Sequence, residues 1–505
     1  MTNLYQLIHR QVRTAPERVA IESLDGGRLT YADLDERCAR LAGRLARLGV
    51  GRGDRVAAQV EKSVANALLY LACLRRGAIY LPLNTAYRQD ELDYFFGDAE
   101  PALIVCDPSE KAGILALRGA AAARLATLDP DGQGDLVDGL EDERPETSSA
   151  PVADDDLAAL LYTSGTTGRS KGAMLSHGNL ASNALTLVDG WGFAAADVLL
   201  HVLPLYHVHG LFVAFNTVLL AGARLVFLPR FDAAQALEML PRATVMMGVP
   251  TYYTRLLAQD GLSGERCAGV RLFVSGSAPL LEDTFYQFEA RTGHRILERY
   301  GMTETGMSTS NPLHGERRPG TVGLPLAGVE VRVADEAGRV LGPGGIGVLE
   351  VRGPNVFKGY WRMPEKTAEA FREDGFFVTG DLARIGADGY VAIVGRARDL
   401  IISGGLNVYP KEIESVIDEL PGVVESAVIG LPHPDFGEAV SAVVVPGAGA
   451  RLDEAAVIAA VRERLASFKV PKRVWFAPSL PRNAMGKVQK NALREQHQDA
   501  FAAPR

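Results

Sequence analysis

Residues 54–83 constrain the fold more than any other stretch. The segment 54-DRVAAQV-60 has the β-branched, half-apolar texture of a strand. It is followed by 63-SVANALLYLACLRRG-77, a helix opened by a capping Ser63 and stopped by Gly77. A second apolar strand, 78-AIYLPL-83, comes straight after. A strand, a helix and a strand at this spacing form a βαβ unit, and the intervening helix forces the two strands to be parallel. The rhythm returns at 102–106, 198–205, 224–228, 244–250 and 270–276. The sequence therefore predicts an α/β protein whose large N-terminal domain is built on βαβ-layered sheets.

From about residue 320 the texture changes to short strands between glycines, at 328-GVEVRV-333, 347-GVLEVRG-353 and 389-GYVAIVG-395. These predict a small β-rich subdomain. Beyond Gly395, helical segments at 411–420 and 453–466 flank a strand at 424–430, which reads as a compact α+β unit. The expected division is a domain at 1–395 and a smaller one at 396–505. The acidic stretch between Asp129 and Asp156 reads as a solvated spacer loop.

At 505 residues the chain exceeds what one core supports, in agreement with two domains. A net charge of −8 argues against broad binding to nucleic acid or to an anionic membrane. The four cysteines (Cys38, Cys73, Cys106, Cys267) lack metal-ligand spacing and suggest neither a zinc site nor a disulfide framework. The N-terminal residues lack the apolar core of a signal peptide, and no run reaches the roughly 18 apolar residues of a membrane span. The expectation is a cytoplasmic protein, a monomer or weak dimer, acting on small molecules without nucleic-acid or membrane partners.

Five segments carry chemistry. An apolar strand, Leu157 to Tyr162, runs into 163-TSGTTGRSK-171. Small residues there let successive N–H groups turn toward one anion, hydroxyls add donors, and Lys171 adds charge. Thr163, Ser164, Gly165, Thr166, Thr167, Gly168 and Lys171 are thus candidate polyphosphate contacts. The loop does not fit the G-x-x-x-x-G-K-[ST] pattern, so a P-loop ATPase is not indicated. In 300-YGMTE-304, Tyr300 offers a ring for a purine and Thr303 a hydroxyl for phosphate. Glu304 offers a hard oxygen for Mg²⁺ held mainly by substrate phosphates. In 379-TGD-381 and 395-GRARD-399, Asp381 can accept the hydroxyls of a ribose with help from Arg396. The fifth is 481-PRNAMGKVQK-490, whose Lys487 matters only if the C-terminal domain folds over the nucleotide. Each motif alone is compatible with an ordinary turn.

Taken together, YTSGTTGRSKG, LYHVHG (205–210), YGMTE, TGD, GRARD and PRNAMGK, in this order, resemble the adenylate-forming superfamily. Within it, LERYGMTET, RLFVSGSAPLL (271–281), PNVFKGYWRMPEKT (354–367) and GGLNVYPKEIES (404–415) look most like the malonate–CoA ligase branch of the acyl-CoA synthetases. The resemblance implies two half-reactions: a carboxylate and Mg·ATP give an acyl-adenylate and pyrophosphate, then the thiol of CoA displaces AMP. It implies catalytic roles for Lys487, His207, Thr163 and Glu304. Ser277, Ala278, Glu298, Arg299, Tyr300, Gly301, Met302, Thr303, Asp381 and Arg396 would surround the nucleotide. A mobile C-terminal domain is implied too, with Arg398 at its hinge and Gly404 and Gly405 lining the CoA tunnel.

Many relatives have Gln-Gly where this chain has Glu298 and Arg299. A guanidinium beside the acyl pocket demands an anion, because an unpaired buried cation is strongly disfavoured. A substrate with a second carboxylate supplies one bidentately. Malonate is the expected acid, with methylmalonate left open, and His207, Ser277, Arg299, Arg242 and Met307 are the acyl-site candidates. Two alternatives remain. In one, Arg299 pairs internally and the enzyme activates short- or medium-chain monoacids; in the other, the chain is an inactive nucleotide-binding regulatory protein.

Overall fold

The structure, a computed structural model, describes residues 3–24, 26–163, 170–403, 406–433, 436–465, 467–483 and 486–501, less the side chains of Arg398 and Asn407. The βαβ unit forms where the local signals put it. Strand Arg55–Gln59 and strand Ile79–Pro82 pair in parallel, with Arg55 opposite Ile79. Between them runs the helix Val64–Arg76; Ser63 Oγ accepts the Asn66 N–H, and Gly77 closes the helix at φ 70°. This unit belongs to a six-stranded sheet, completed on one side by the antiparallel hairpin Leu157–Thr163 and Lys171–Ser176.

A nine-stranded sheet forms the second layer among the described residues. At its centre Val198–His201, Val245–Gly248, Leu272–Ser275 and Leu297–Met302 lie side by side and parallel. Their carboxyl ends meet on one edge, which is where ligands bind in open α/β sheets. Between the two sheets lies an apolar interior containing Tyr70, Trp191, Phe212 and Phe215. A four-stranded antiparallel sheet (Glu330–Ala334, Ile346–Arg352, Phe377–Ile385, Val391–Arg396) follows. The last sheet is built wholly from residues beyond 400, and Ile413, Ile417, Val457 and Val461 of two helices pack on it with Val428 and Val440. Among the described residues no helix is long and apolar enough to cross a membrane.

The acidic stretch 129–156 is largely exposed, as expected of a solvated loop, but it is also pinned to the domain. Arg44 donates to the carbonyls of Asp135, Leu136 and Asp138 and pairs with Glu143 at 2.6 Å, while Arg76 pairs with Glu146 at 2.9 Å. Leu136 and Val152 are buried. The acidic residues answer arginines on two helices far away in sequence, so composition alone could not reveal them as structural.

Candidate active site

Strand Leu297–Met302 and the turn after it bring the chemistry-bearing residues together. Tyr300 Oη donates to Asp381 Oδ2 at 2.5 Å, and Arg396 Nε holds Asp381 Oδ1 at 2.7 Å. Asp381 follows Gly380, which takes φ 72° and lets the TGD segment turn within its strand. Arg396 lies opposite Asp381 on the neighbouring strand. With one oxygen on a phenol and the other on a guanidinium, the carboxylate is fixed in place, a suitable acceptor for hydroxyl donors.

Two residues past the strand, Glu304 is buried and accepts a hydrogen bond from Tyr360 Oη at 3.1 Å. Burial pushes its pKa up, while that bond and the charges of Arg396 and Lys171 act in the opposite sense. The Lys171 ammonium stands 4.1 Å from the centre of the Tyr360 ring, a cation–π contact. Tyr360 thus positions a cation on its face and a carboxylate on its hydroxyl. It lies in the PNVFKGYWRMPEKT segment, but its bridge to Ala173 is purely tertiary, so the sequence alone assigns it no role. Thr163 Oγ1 lies 3.4 Å from the Lys171 carbonyl, so the phosphate-loop candidates hang from a paired hairpin. Ser164, Gly165, Thr166, Thr167 and Gly168 lie outside the described residues, as do Gly404 and Gly405. Arg398 falls in the short 3₁₀ turn Ala397–Asp399.

Basic groups gather around Arg299 of the same strand. Arg299 is 3% exposed, and among the described residues its Nε and Nη2 have no hydrogen-bond partner. Among the described residues no carboxylate forms an ion pair with it. Glu298 is next in the chain, but successive strand residues face opposite ways. Its Oε1 instead accepts the Leu280 N–H at 3.0 Å, and burial raises its pKa to about 7. Burial lowers that of Arg299 to about 9. His207 is held neutral by burial and by the charges of Arg299 and Lys487, which bring its pKa down to about 3. Its Nδ1 accepts the His209 N–H at 3.2 Å, leaving the proton on Nε2. His209 Nδ1 in turn lies 3.3 Å from Ser277 Oγ, and Ser277 takes φ 72°.

The turn bearing these histidines is braced from below. His201 Nε2 donates to the Gly210 carbonyl at 2.8 Å, and Lys62 Nζ donates to both His201 Nδ1 and the His201 carbonyl at 2.8 Å. Lys62 is 5% exposed, with burial alone lowering its pKa. A single π-helical segment, His209–Phe215, follows the turn. His209 stands in the LYHVHG motif, two residues after His207, whereas Lys62 and His201 belong to none of the motifs.

Arg242 does not belong to this group. It sits at the amino end of strand Val245–Gly248, whose carboxyl end lies beside Gly276, and its guanidinium pairs with the buried Glu22. Met307 is buried against Gly301 of the motif, its N–H bonded to Asn183 Oδ1 at 3.0 Å. Lys487, from the second domain, reaches close enough for its charge to act on His207. Met302 and Thr303 are half-buried at the strand end, and Ala278 is half-buried beside Ser277.

The paired α/β sheets, the Tyr300–Asp381–Arg396 cluster and the buried Glu304 beside Lys171 are the arrangement of an adenylate-forming enzyme. The chain belongs to the AMP-binding enzyme family: that family's model matches residues 8–361, and the AMP-binding enzyme C-terminal domain matches 412–487. A feruloyl-CoA synthase from Amycolatopsis is 38% identical over 96% of this chain and 97% of its own. A malonate–CoA ligase from Arabidopsis thaliana is 34% identical over 98% and 89%. Among solved structures, ATP-bound MatB from Rhodopseudomonas palustris is 57% identical over 99% of both chains, with a TM-score of 0.97. The apo form of MatB, at the same identity, superposes less closely, with a TM-score of 0.85.

Proposed function

We propose that this protein joins malonate to CoA through malonyl-AMP, releasing pyrophosphate and then AMP. The 57% identity to MatB and the matches to malonate–CoA ligases support this reading, although a feruloyl-CoA synthase is 38% identical. The observation that carries the reading is Arg299, buried with Nε and Nη2 unpartnered. Those two nitrogens form the side-on edge of the guanidinium, the fork that takes a carboxylate bidentately. Leaving buried donors unmade is costly, and the second carboxylate of malonate satisfies them. Neutral His207 adds an Nε2–H donor without adding a competing charge.

In the first half-reaction a malonate oxygen attacks the α-phosphorus of ATP and pyrophosphate leaves. Lys487 is assigned to neutralise the charge gathering between carboxylate and phosphate, supported by its reach to His207. Asp381 and Arg396 are assigned to the ribose, Tyr300 to the adenine, and Thr163 and Lys171 to the phosphates. Among the described residues no cluster of three metal ligands occurs, and the single buried carboxylate of Glu304 fits an ion held mainly by phosphate oxygens. When bound there, Mg²⁺ supplies the positive charge that offsets the leaving pyrophosphate. In the second half-reaction the thiol of CoA attacks the acyl carbonyl and AMP departs. For that step the C-terminal domain turns about Arg398, removing Lys487 and bringing Gly404 and Gly405 to the CoA arm. The proposal is of a cytoplasmic enzyme, a monomer or weak dimer, acting on small molecules only.

The test is kcat/KM for acetate, propionate, malonate, methylmalonate and succinate with ATP, Mg²⁺ and CoA. Malonate should exceed propionate by about 100-fold or more, the scale of losing a buried polar partner. A propionate value equal to or above that of malonate overturns the reading.

A further inference from the structure

Strands Leu272–Ser275 and Leu297–Met302 are parallel, with Ser275 opposite Glu298, so Gly276 falls opposite Arg299 in the next row. A Cβ on Gly276 would stand 2.3 Å from Arg299 Cζ, 2.4 Å from Nη1 and 2.6 Å from Nε. Three atoms of one planar group at nearly equal distance mean that the guanidinium lies flat over the place a side chain would occupy. Both backbones are tied: the Gly276 N–H donates to the Gly248 carbonyl at 3.3 Å, and Arg299 pairs with Ser310 across its other edge. Backbone conformation does not explain the glycine. Gly276 is absent from the positive-φ glycines, whereas its neighbour Ser277 takes φ 72° with a side chain. What residue 276 supplies is room.

We propose that Gly276 is a specificity-determining positioning residue: its missing Cβ is the shelf on which the Arg299 guanidinium rests, with its Nε–Nη2 edge set for the second carboxylate of a diacid. This rests on the diacid reading above. Any side chain at 276 pushes the guanidinium off its plane, and the fork no longer meets a carboxylate with both nitrogens. The diacid loses its partner, while a monoacid, which never used the fork, loses little.

The experiment compares wild type, G276A, R299A and the double variant, using malonate and propionate kcat/KM, ATP KM and thermal midpoint. G276A should lower malonate kcat/KM by about 30-fold or more, with propionate and ATP KM changed less than about threefold. In the R299A background the same substitution should cost malonate less than about twofold, because the shelf then has nothing to hold. The thermal midpoint should fall on G276A alone and recover in the double variant, where the new methyl fills vacated space. A malonate loss below threefold in G276A, with wild type preferring malonate, overturns this inference and leaves the diacid reading standing. A wild type that prefers propionate overturns the diacid reading itself. If G276A alone does not fold, the double variant decides: a midpoint below that of R299A overturns the shelf.

Discussion

Tyr300 Oη and Asp381 Oδ2, 81 residues apart in sequence, share a 2.5 Å hydrogen bond that ties the nine-stranded sheet to the four-stranded one. Tyr300→Phe keeps the ring and removes that donor, leaving Asp381 on Arg396 alone. A bond to a charged group contributes about 1.5–3 kcal/mol, so ATP KM should rise about 10- to 100-fold with kcat less affected. Steady-state kinetics at saturating malonate reads this. An unchanged ATP KM with a lowered thermal midpoint would make the bond purely structural.

Lys487→Ala separates the two half-reactions. Malonate-dependent pyrophosphate release should fall by about 100- to 1,000-fold, the scale of losing a preorganised donor in the transition state. Thioester formation from supplied malonyl-AMP should stay within about threefold. Equal losses in both steps would refute the role given to this lysine.

Arg299 allows a graded test. Arg299→Ala should reduce malonate kcat/KM by about 100-fold and leave ATP KM within about twofold. Arg299→Lys restores the charge without the fork and should recover less than about a tenth of the activity. Full recovery by lysine would show that charge alone, and not bidentate geometry, selects the acid.

Glu298 makes stability depend on pH. Its folded pKa of about 7 lies above the ordinary value of 4.5, because burial disfavours the carboxylate. The folded state therefore binds the proton more tightly than the unfolded state. The stability this adds is fully present below pH 4.5 and is lost as pH rises through 7, on the order of 3 kcal/mol in all. Glu298→Gln should match wild type near pH 5 and have the higher thermal midpoint at pH 8. A midpoint difference that does not vary with pH would contradict the assignment.

Tyr360→Phe keeps the aromatic face under Lys171 and removes the hydroxyl that holds Glu304. The hydroxyl favours the carboxylate, so its loss raises the Glu304 pKa further. Half-saturating Mg²⁺ should increase by about two- to tenfold, and more at pH 6 than at pH 8. Malonate KM should not move. Titration of Mg²⁺ at the two pH values distinguishes this from a general loss of activity.

Much of this was legible along the chain because its causes are local. Helix Val64–Arg76 has its cap and stop within its own residues, and the parallel strands carry their own apolar runs. Tyr300, Glu304, Asp381 and Arg396 were legible as motif residues, since each sits beside a glycine or a hydroxyl residue of its motif. Arg242 misled because nearness to a strand says nothing about which end of it faces the ligand. Tyr360, Lys62 and His201 escaped because their partners lie on other elements, Lys62 and His201 139 residues apart.

The sequence by itself determined the α/β class, the ordered motifs of an adenylating enzyme and the presence of an arginine where an acyl group would lie. Periodicity, capping and short motifs are properties of neighbouring residues, so one dimension suffices to display them. Only the tertiary structure decided whether Arg299 has a partner. Its row places it over Gly276 and turns Glu298 to the other face, so the guanidinium ends buried with two donors unmade. Pairing of charges depends on which strands lie adjacent and in what register, and that is settled when the sheet assembles.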